Sequence, residues 1–358
     1  MKKHAVLAPS AAHRWLTCTP SARLEERFPD ETSSYAEEGT KAHKIAEGLL
    51  RGEIDDPTPD EMNDMLEHVG QYVEVVMEKL TPGADLYVEQ YLDFSPWVPE
   101  GFGTGDAVIV SDEAIEIVDL KYGKGVKIDA EGNPQLRLYA LGAYNQFGAL
   151  YNFDKVRVTI VQPRLDHISS EELTVEELLK WGEEIKPIAQ KAFKGEGEFN
   201  PGPHCRFCKA RRSCRARAEY HMNLARYEFK EPALLSVEEI AEILKQADDL
   251  AAWAKEVKEH ALTLAFRDGV KIPGWKVVEG RSTRKIADEA ALAEKLAAEG
   301  VDPFKQVLKT ITELEKAVGK KRFNEIAAGL IEKPPGRPTL VEETDKRPEI
   351  NRAAIDFK

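Results

Sequence analysis

Residues 105–121 read GDAVIVSDEAIEIVDLK. Apolar and polar residues alternate through Ala107–Val110 and again through Ile115–Val118, with Ser111-Asp112-Glu113 between them. That pattern predicts two short strands joined by a tight turn, a hairpin with one buried face. Asp106 heads the first strand; Asp119 closes the second and is followed, after one residue, by Lys121. Side chains alternate along a strand, so Asp119 and Lys121 project to one side and Leu120 turns into the core. Pairing of the hairpin can bring Asp106 beside them. Two carboxylates and an ammonium at one place suit a hard divalent cation, Mg²⁺ or Mn²⁺, together with a phosphate. The plain alternative is a solvated strand end, because an isolated D-x-K is common.

Upstream of the hairpin, Ser10 is placed as the N-cap of a short helix that ends near Thr19-Pro20, with Cys18 at its end. Residues 35–51 form a helix with Ala42, Ile45, Ala46, Leu49 and Leu50 on one face, and His43 and Glu47 four apart on another. A helix at 60–80 follows, then a strand at Leu86–Phe94 that turns Glu89 away from Val88, where it can face the acids of the hairpin. Downstream, a glycine- and lysine-rich loop leads to a helix at Pro134–Phe147, with Gln135 and Tyr139 one turn apart. A strand at Lys155–Gln162 and a helix at Thr174–Phe193, broken or bent at Pro187, complete the series. Helix, strand, strand, strand, helix, strand, helix is a mixed α/β core. After a Gly/Pro-rich link at Gly195–Pro203 come a long amphipathic helix at 236–267, a short strand pair within Val270–Glu279, and helices near 287–298 and 311–331. The expected organisation is a core domain at 1–220, a mostly helical region at 233–332, and a proline-rich charged tail at 333–358.

A chain of 358 residues, 42% of them hydrophobic, can bury a sizeable core. It has no apolar run long enough for a membrane helix and no secretory leader pattern, so the expected location is the cytoplasm. A net charge of −13 argues against nucleic acid as a partner. The segment His204–Ala218 runs the other way: Arg206, Lys209, Arg211, Arg212, Arg215 and Arg217 stand there without one acid. Such a run is either a solvated helix face or a phosphate-contacting surface that reads little sequence and weakens with salt.

The chain has four cysteines, Cys18 and the C-x2-C-x5-C group Cys205, Cys208 and Cys214. Clustered thiols in a reducing compartment are more often metal ligands than disulfides. Four thiolates suit a structural Zn²⁺ or a [4Fe–4S] cluster equally in their softness. Zinc modules usually show two close pairs, whereas Cys18 lies 187 positions before Cys205. That spacing favours a cluster clamping distant segments together.

Gly39–His43 (GTKAH), Gly103–Val110 (GTGDAVIV), Ile117–Lys121 (IVDLK) and Gln135–Tyr139 (QLRLY) together resemble the RecB-like branch of the PD-(D/E)XK nuclease superfamily. The cysteine layout resembles the iron-sulfur staple of the AddB nucleases and of the CRISPR-associated adaptation nucleases. The whole is similar to a family of phage and prophage proteins of about this length. The resemblance covers roughly residues 5–220 and implies a nuclease core with a mixed sheet flanked by helices. It implies a metal-dependent deoxyribonuclease, an exonuclease or DNA end-processing enzyme of phage recombination or repair, with DNA and phage recombination proteins as partners and no membrane. His43, Asp106, Asp119 and the Leu120 carbonyl would hold the divalent ion, with Glu47 orienting the imidazole. Lys121 would position the attacking water, and Gln135 and Tyr139 would border the site and touch the DNA strand. Cys18, Cys205, Cys208 and Cys214 would hold the cluster beside a DNA-contacting segment of Arg206, Lys209, Arg211, Arg212 and Arg215. The rival from another class is a non-catalytic DNA-binding or scaffold protein that keeps this fold. A sequence-specific endonuclease is a further rival, for which no recognition element is visible.

Overall fold

The computed structural model describes residues 5–29, 34–54, 64–223, 235–278, 310–328 and 330–331. Five strands pair in the order in which the chain makes them: β1 (Asp85–Asp93), β2 (Phe102–Val110), β3 (Ala114–Leu120), β4 (Lys155–Gln162) and β5 (His167–Thr174). Neighbours are antiparallel except β3 and β4, which are parallel. The central hairpin forms as the alternation predicts, with Ala107 opposite Val118 and Val110 opposite Ile115. Ser111 closes its turn: the amides of Glu113 and Ala114 both donate to the Ser111 hydroxyl.

Helices α1 (Ala12–Thr17), α2 (Ser21–Glu25), α3 (Ser34–Leu50) and α4 (Asp64–Lys79) precede the sheet. After β3 come α5 (Pro134–Phe147), α6 (Val175–Lys194), α7 (Arg215–Met222) and α8 (Val237–Phe266). A parallel strand pair needs a crossover, and α5 supplies it. Its start is written locally. The Asn133 side chain accepts the amides of Gln135 and Leu136, and Pro134 occupies the first turn, where its missing N–H is not needed.

The sheet is covered on both faces. Ala42 and Ala46 of α3 and Val69, Tyr72 and Val76 of α4 pack on Ala107, Ile109, Val118 and Leu120. Leu136, Leu138 and Leu141 of α5 and Leu178 and Ile185 of α6 pack on the other face, against Val108, Ile115, Ile117, Val158 and Ile160. Every residue of β3 is consequently buried, which is why its apolar run is nearly unbroken. One of its two acids, Glu116, is paired with Lys79. Helix α5 approaches β1 closely at Gly142, where an added Cβ would stand 2.8 Å from Leu92 Cβ. Gly142→Ala is therefore expected to lower unfolding stability by about 1–3 kcal/mol, measured by denaturant titration.

The structure corrects the sequence reading at several points. Ser10 caps nothing; a 3₁₀ turn at Pro9–Ala11 leads into α1, whose N-cap is Ala11. Strand β5 was not expected, because His167–Thr174 is an edge strand with alternate residues exposed and is rich in Ser and Glu, poor strand formers. Helix α6 runs through Pro187 as one element, held on both sides by Ile185 and Ala189 in the core. No strand forms among residues 270–278; Pro273 has no amide to donate and Gly274 is left-handed (φ 81°). The helix expected over 311–331 is divided by left-handed Gly319 (φ 81°) into α9 (Ile311–Val318) and α10 (Lys320–Ile326). The helix expected near 287–298 and the tail at 333–358 lie outside the described residues. The chain divides into two units, Met1–Val278 and Glu279–Lys358, with α9 and α10 in the second. Among the described residues no helix is long and apolar enough to cross a membrane.

Candidate active site

Strand register alone gathers three acids. Val88 faces Ala107 and Gln90 faces Gly105, so Glu89 of β1 stands across from Asp106 of β2. One step past the Ala107–Val118 pair, the same antiparallel count sets Asp106 beside Asp119 of β3. Helix α3 adds His43, whose Nδ1 lies 3.3 Å from Asp106 Oδ1. The other Asp106 oxygen accepts the Leu120 amide at 2.7 Å, which fixes the carboxylate. His43, Glu89 and Asp106 offer ligand atoms all within 4.8 Å of one another.

A second set of contacts adjoins this one. Lys121 Nζ is 2.8 Å from Asp119 Oδ2 and donates to Gln135 Oε1 at 3.0 Å. Gln135 Nε2 donates back to Asp119 Oδ1 at 3.4 Å and to the Tyr139 hydroxyl at 3.2 Å. Asp119, Lys121 and Gln135 thus close a ring, with Tyr139 behind it. Asp119 is only 2% exposed. Its Oδ2 is held by the Lys121 ammonium at 2.8 Å, so the buried carboxylate is charge-paired on one side.

Electrostatics follow from this crowding. Burial pushes the Asp119 carboxyl up; Lys121 opposes that and Asp106 adds to it. Glu89 is pushed up to about 7, first by burial and then by the charge of Asp106. Burial pulls His43 down, but the hydrogen bond and charge of Asp106 outweigh it and the net shift is upward. Glu89 also sits in the left-handed region at φ 51°, a conformation that costs a non-glycine residue about 1 kcal/mol or more. The strand changes face there. Tyr87 packs into the α5-side core, and so does Leu92, although the two have opposite parity.

His43, Asp106, Asp119, Lys121, Gln135 and Tyr139, all read from the sequence, come together. Glu89 joins them as a third ligand-bearing residue with His43 and Asp106, whereas Asp119 stands outside that close group. Leu120 presents its amide to Asp106. Glu47 does not orient His43: its carboxylate pairs with Arg51 at 2.6 Å, while Asp106 holds the imidazole.

A family model described as "Protein of unknown function (DUF2800)" matches residues 4–348. The chain belongs to the DUF2800 family. Among solved structures it is similar to a candidate exonuclease from Eubacterium rectale, with 13% identity and a TM-score of 0.32 over 65% of this chain and 91% of that one. It is also similar to the protein SSO0001, with 16% identity and a TM-score of 0.28 over 56% of this chain and 83% of that one. These likenesses are too weak to carry a function. The DUF2800 match spans the acids, the four cysteines and α8 alike.

In this DUF2800 chain the cysteines meet at a second place. Cys18 ends α1, Cys205 and Cys208 lie in and just after a 3₁₀ turn, and Cys214 precedes α7. All four line one cavity. Burial pushes the thiols of Cys18 and Cys205 up and that of Cys208 up to about 12, so forming thiolates there calls for a cation. No three of these sulfurs lie within 4.8 Å of one another. A tetrahedral zinc site with bonds of about 2.3 Å needs sulfurs roughly 3.8 Å apart. The basic run beside them is not one face. Arg211 pairs with Glu256 at 3.2 Å, and Arg217, 1% exposed, pairs with Asp249 at 2.9 Å and Glu256 at 2.7 Å, all on α8. Arg206 and Arg215 are exposed, and Lys209 and Arg212 are half-buried.

Proposed function

We propose that this chain is a metal-dependent nuclease that hydrolyses DNA phosphodiester bonds. The observation that carries the reading is the meeting of His43, Glu89 and Asp106 within 4.8 Å of one another, beside a buried Asp119–Lys121–Gln135 ring. His43, Glu89, Asp106 and Asp119 are the donors for Mg²⁺ or Mn²⁺; bound there, the ion would acidify water and offset phosphate charge. The Leu120 carbonyl is a further oxygen for the same ion. Asp106 holds His43 with its ring oriented, and the Leu120 amide holds Asp106. Lys121 is anchored by Asp119 and Gln135, so its ammonium meets a phosphate oxygen without first losing side-chain freedom. Tyr139 and Gln135 line the wall against which the strand would lie. Resemblance to RecB-like enzymes narrows the reading to exonuclease or end-processing work in phage recombination or repair. The four cysteines, brought from distant positions to line one cavity, support a structural [4Fe–4S] cluster, and Arg206 and Arg215 remain as exposed phosphate contacts.

Labelled linear and circular duplexes incubated with Mn²⁺ test this reading. Loss of the linear molecule from its ends with the circle spared is the expected result. Binding of both without cleavage would leave a DNA-binding scaffold instead.

The raised acid gives a pH dependence. In the metal-free protein the contribution of Glu89 to stability is full below its ordinary value of 4.5 and is lost as pH rises through about 7. His43, also raised, acts in the same direction. A cation must displace both protons, so Mn²⁺ affinity is expected to rise between about pH 5 and 7 and then level. Glu89→Gln should weaken binding and flatten that rise, as measured by Mn²⁺ titration at both ends of the window. An unaltered profile would remove Glu89 from the ligand set.

A further inference from the structure

We infer that two buried donors, Ser21 Oγ and Arg217 Nε, hydrogen-bond the sulfur-bearing group at the four-cysteine cavity, and that α8 aims the second of them. The inference rests on the four-thiolate reading above and adds residues that the cysteine spacing does not name. Ser21 and Arg217 are 4% and 1% exposed, and both line the cavity that Cys18, Cys205, Cys208 and Cys214 also line. Neither atom has a hydrogen-bond partner among the described residues. Leaving such a group buried and unpaired costs about 1–3 kcal/mol. Here two of them, from α2 and α7, border one small space.

An anionic sulfur group is the acceptor that this set fits. Thiolate and sulfide sulfurs accept N–H and O–H donors, and metal-bound sulfur is commonly held this way by residues beyond its ligands. Arg217 adds a full positive charge to offset that of the sulfurs. Its other nitrogens are already engaged: Asp249 at 2.9 Å, Glu256 at 2.7 Å and the Arg211 carbonyl at 3.3 Å. Only Nε is left over. The two acids of α8 therefore fix the guanidinium in the orientation that brings it to the cavity. Helix α8 becomes part of the cluster's surroundings, with a role that the nuclease residues do not supply.

The test uses the full chain purified without oxygen. Ser21→Ala removes one hydroxyl, and Asp249→Asn loosens Arg217 from outside the cavity; Arg217→Gln removes charge and donor together, with Arg217→Lys as the conservative partner. Iron and sulfide content, the cluster's midpoint potential and the rate of iron loss to a chelator are measured for each. At equal iron and sulfide content, Ser21→Ala and Arg217→Gln should both shift the potential negative. The arginine variant should shift it by a tenfold change in the reduction equilibrium, about 59 mV for one electron, and Arg217→Lys by less. Asp249→Asn should lose iron about tenfold faster than the parent. Wild-type potential in Ser21→Ala, together with wild-type iron loss in Asp249→Asn, would overturn the proposal even if the arginine variants fail to fold. A preparation that holds zinc would sink the [4Fe–4S] reading alone. The donors are then judged by zinc loss to the chelator, faster in Ser21→Ala and Asp249→Asn if they act, unchanged if they do not. A folded preparation with neither metal would overturn both.

Discussion

Asp119→Asn is expected to lower DNA cleavage on the order of 10³-fold while leaving the protein folded. The amide keeps the shape of the carboxylate and its acceptor for Gln135, so packing around β3 is preserved. What it loses is the buried negative oxygen that Lys121 holds at 2.8 Å. Removing one buried charge also ends the repulsion between Asp119 and Asp106 that accompanies burial in raising this carboxyl. The melting temperature should consequently stay within about 3 °C of the parent, since Lys121 keeps its bond to Gln135 and is partly solvated. Initial rates on a labelled linear duplex with Mn²⁺, alongside a thermal melt, check both halves. A variant that cuts at the parental rate would show that the ring at Asp119 is structural and that the reaction lies elsewhere.

Cys18→Ser should act on the fold itself. The cysteine sits between α1 and α2, a segment tied to the far side of the core by a few long-range bonds. Thr19 donates to the Glu196 carbonyl at 2.6 Å, and Glu25 accepts the Lys209 amide at 2.8 Å. A metal group joining Cys18 to Cys205, Cys208 and Cys214 would lock that segment in place. Losing it exchanges metal–thiolate bonds for a hydroxyl in a buried cavity whose other thiols are pushed up by burial. A loss of about 5 kcal/mol lowers the melting temperature by more than roughly 10 °C in a domain of this size. The visible colour of the preparation should vanish with it. Retention of colour and melting temperature together would remove Cys18 from the ligand set.

Some of this molecule was readable before any coordinates, and the reasons are local. Pro134–Phe147 and Lys155–Gln162 were placed to the residue because Asn133-Pro134 marks a helix start and β4 is a mostly buried interior strand. The turn at Ser111–Glu113 was legible for a similar reason, since hydrophobic alternation stops and resumes around it. Strand β5 was hidden because only one of its faces packs, so its alternation is carried by Ser and Glu rather than by Val and Ile. The site divides in the same way. Asp119 and Lys121 follow from strand parity alone, whereas Glu89 reaches His43 through the facing register and through a left-handed residue that alternation does not foresee. The cysteines were visible as a spacing. The acids that hold Arg217 were not, because Asp249 and Glu256 lie more than 30 positions away on a helix that looked merely amphipathic.

Those two acids set where the polypeptide can be cut. A fragment ending soon after Met222 would keep every cysteine and every residue of the acidic cluster, yet it would remove both acids that pair with Arg217. It would also uncover the side of α7 on which Trp253 stacks against His221. The smallest autonomous piece therefore extends at least through Glu256. Any truncation meant to isolate the hydrolytic half has to carry α8 with it.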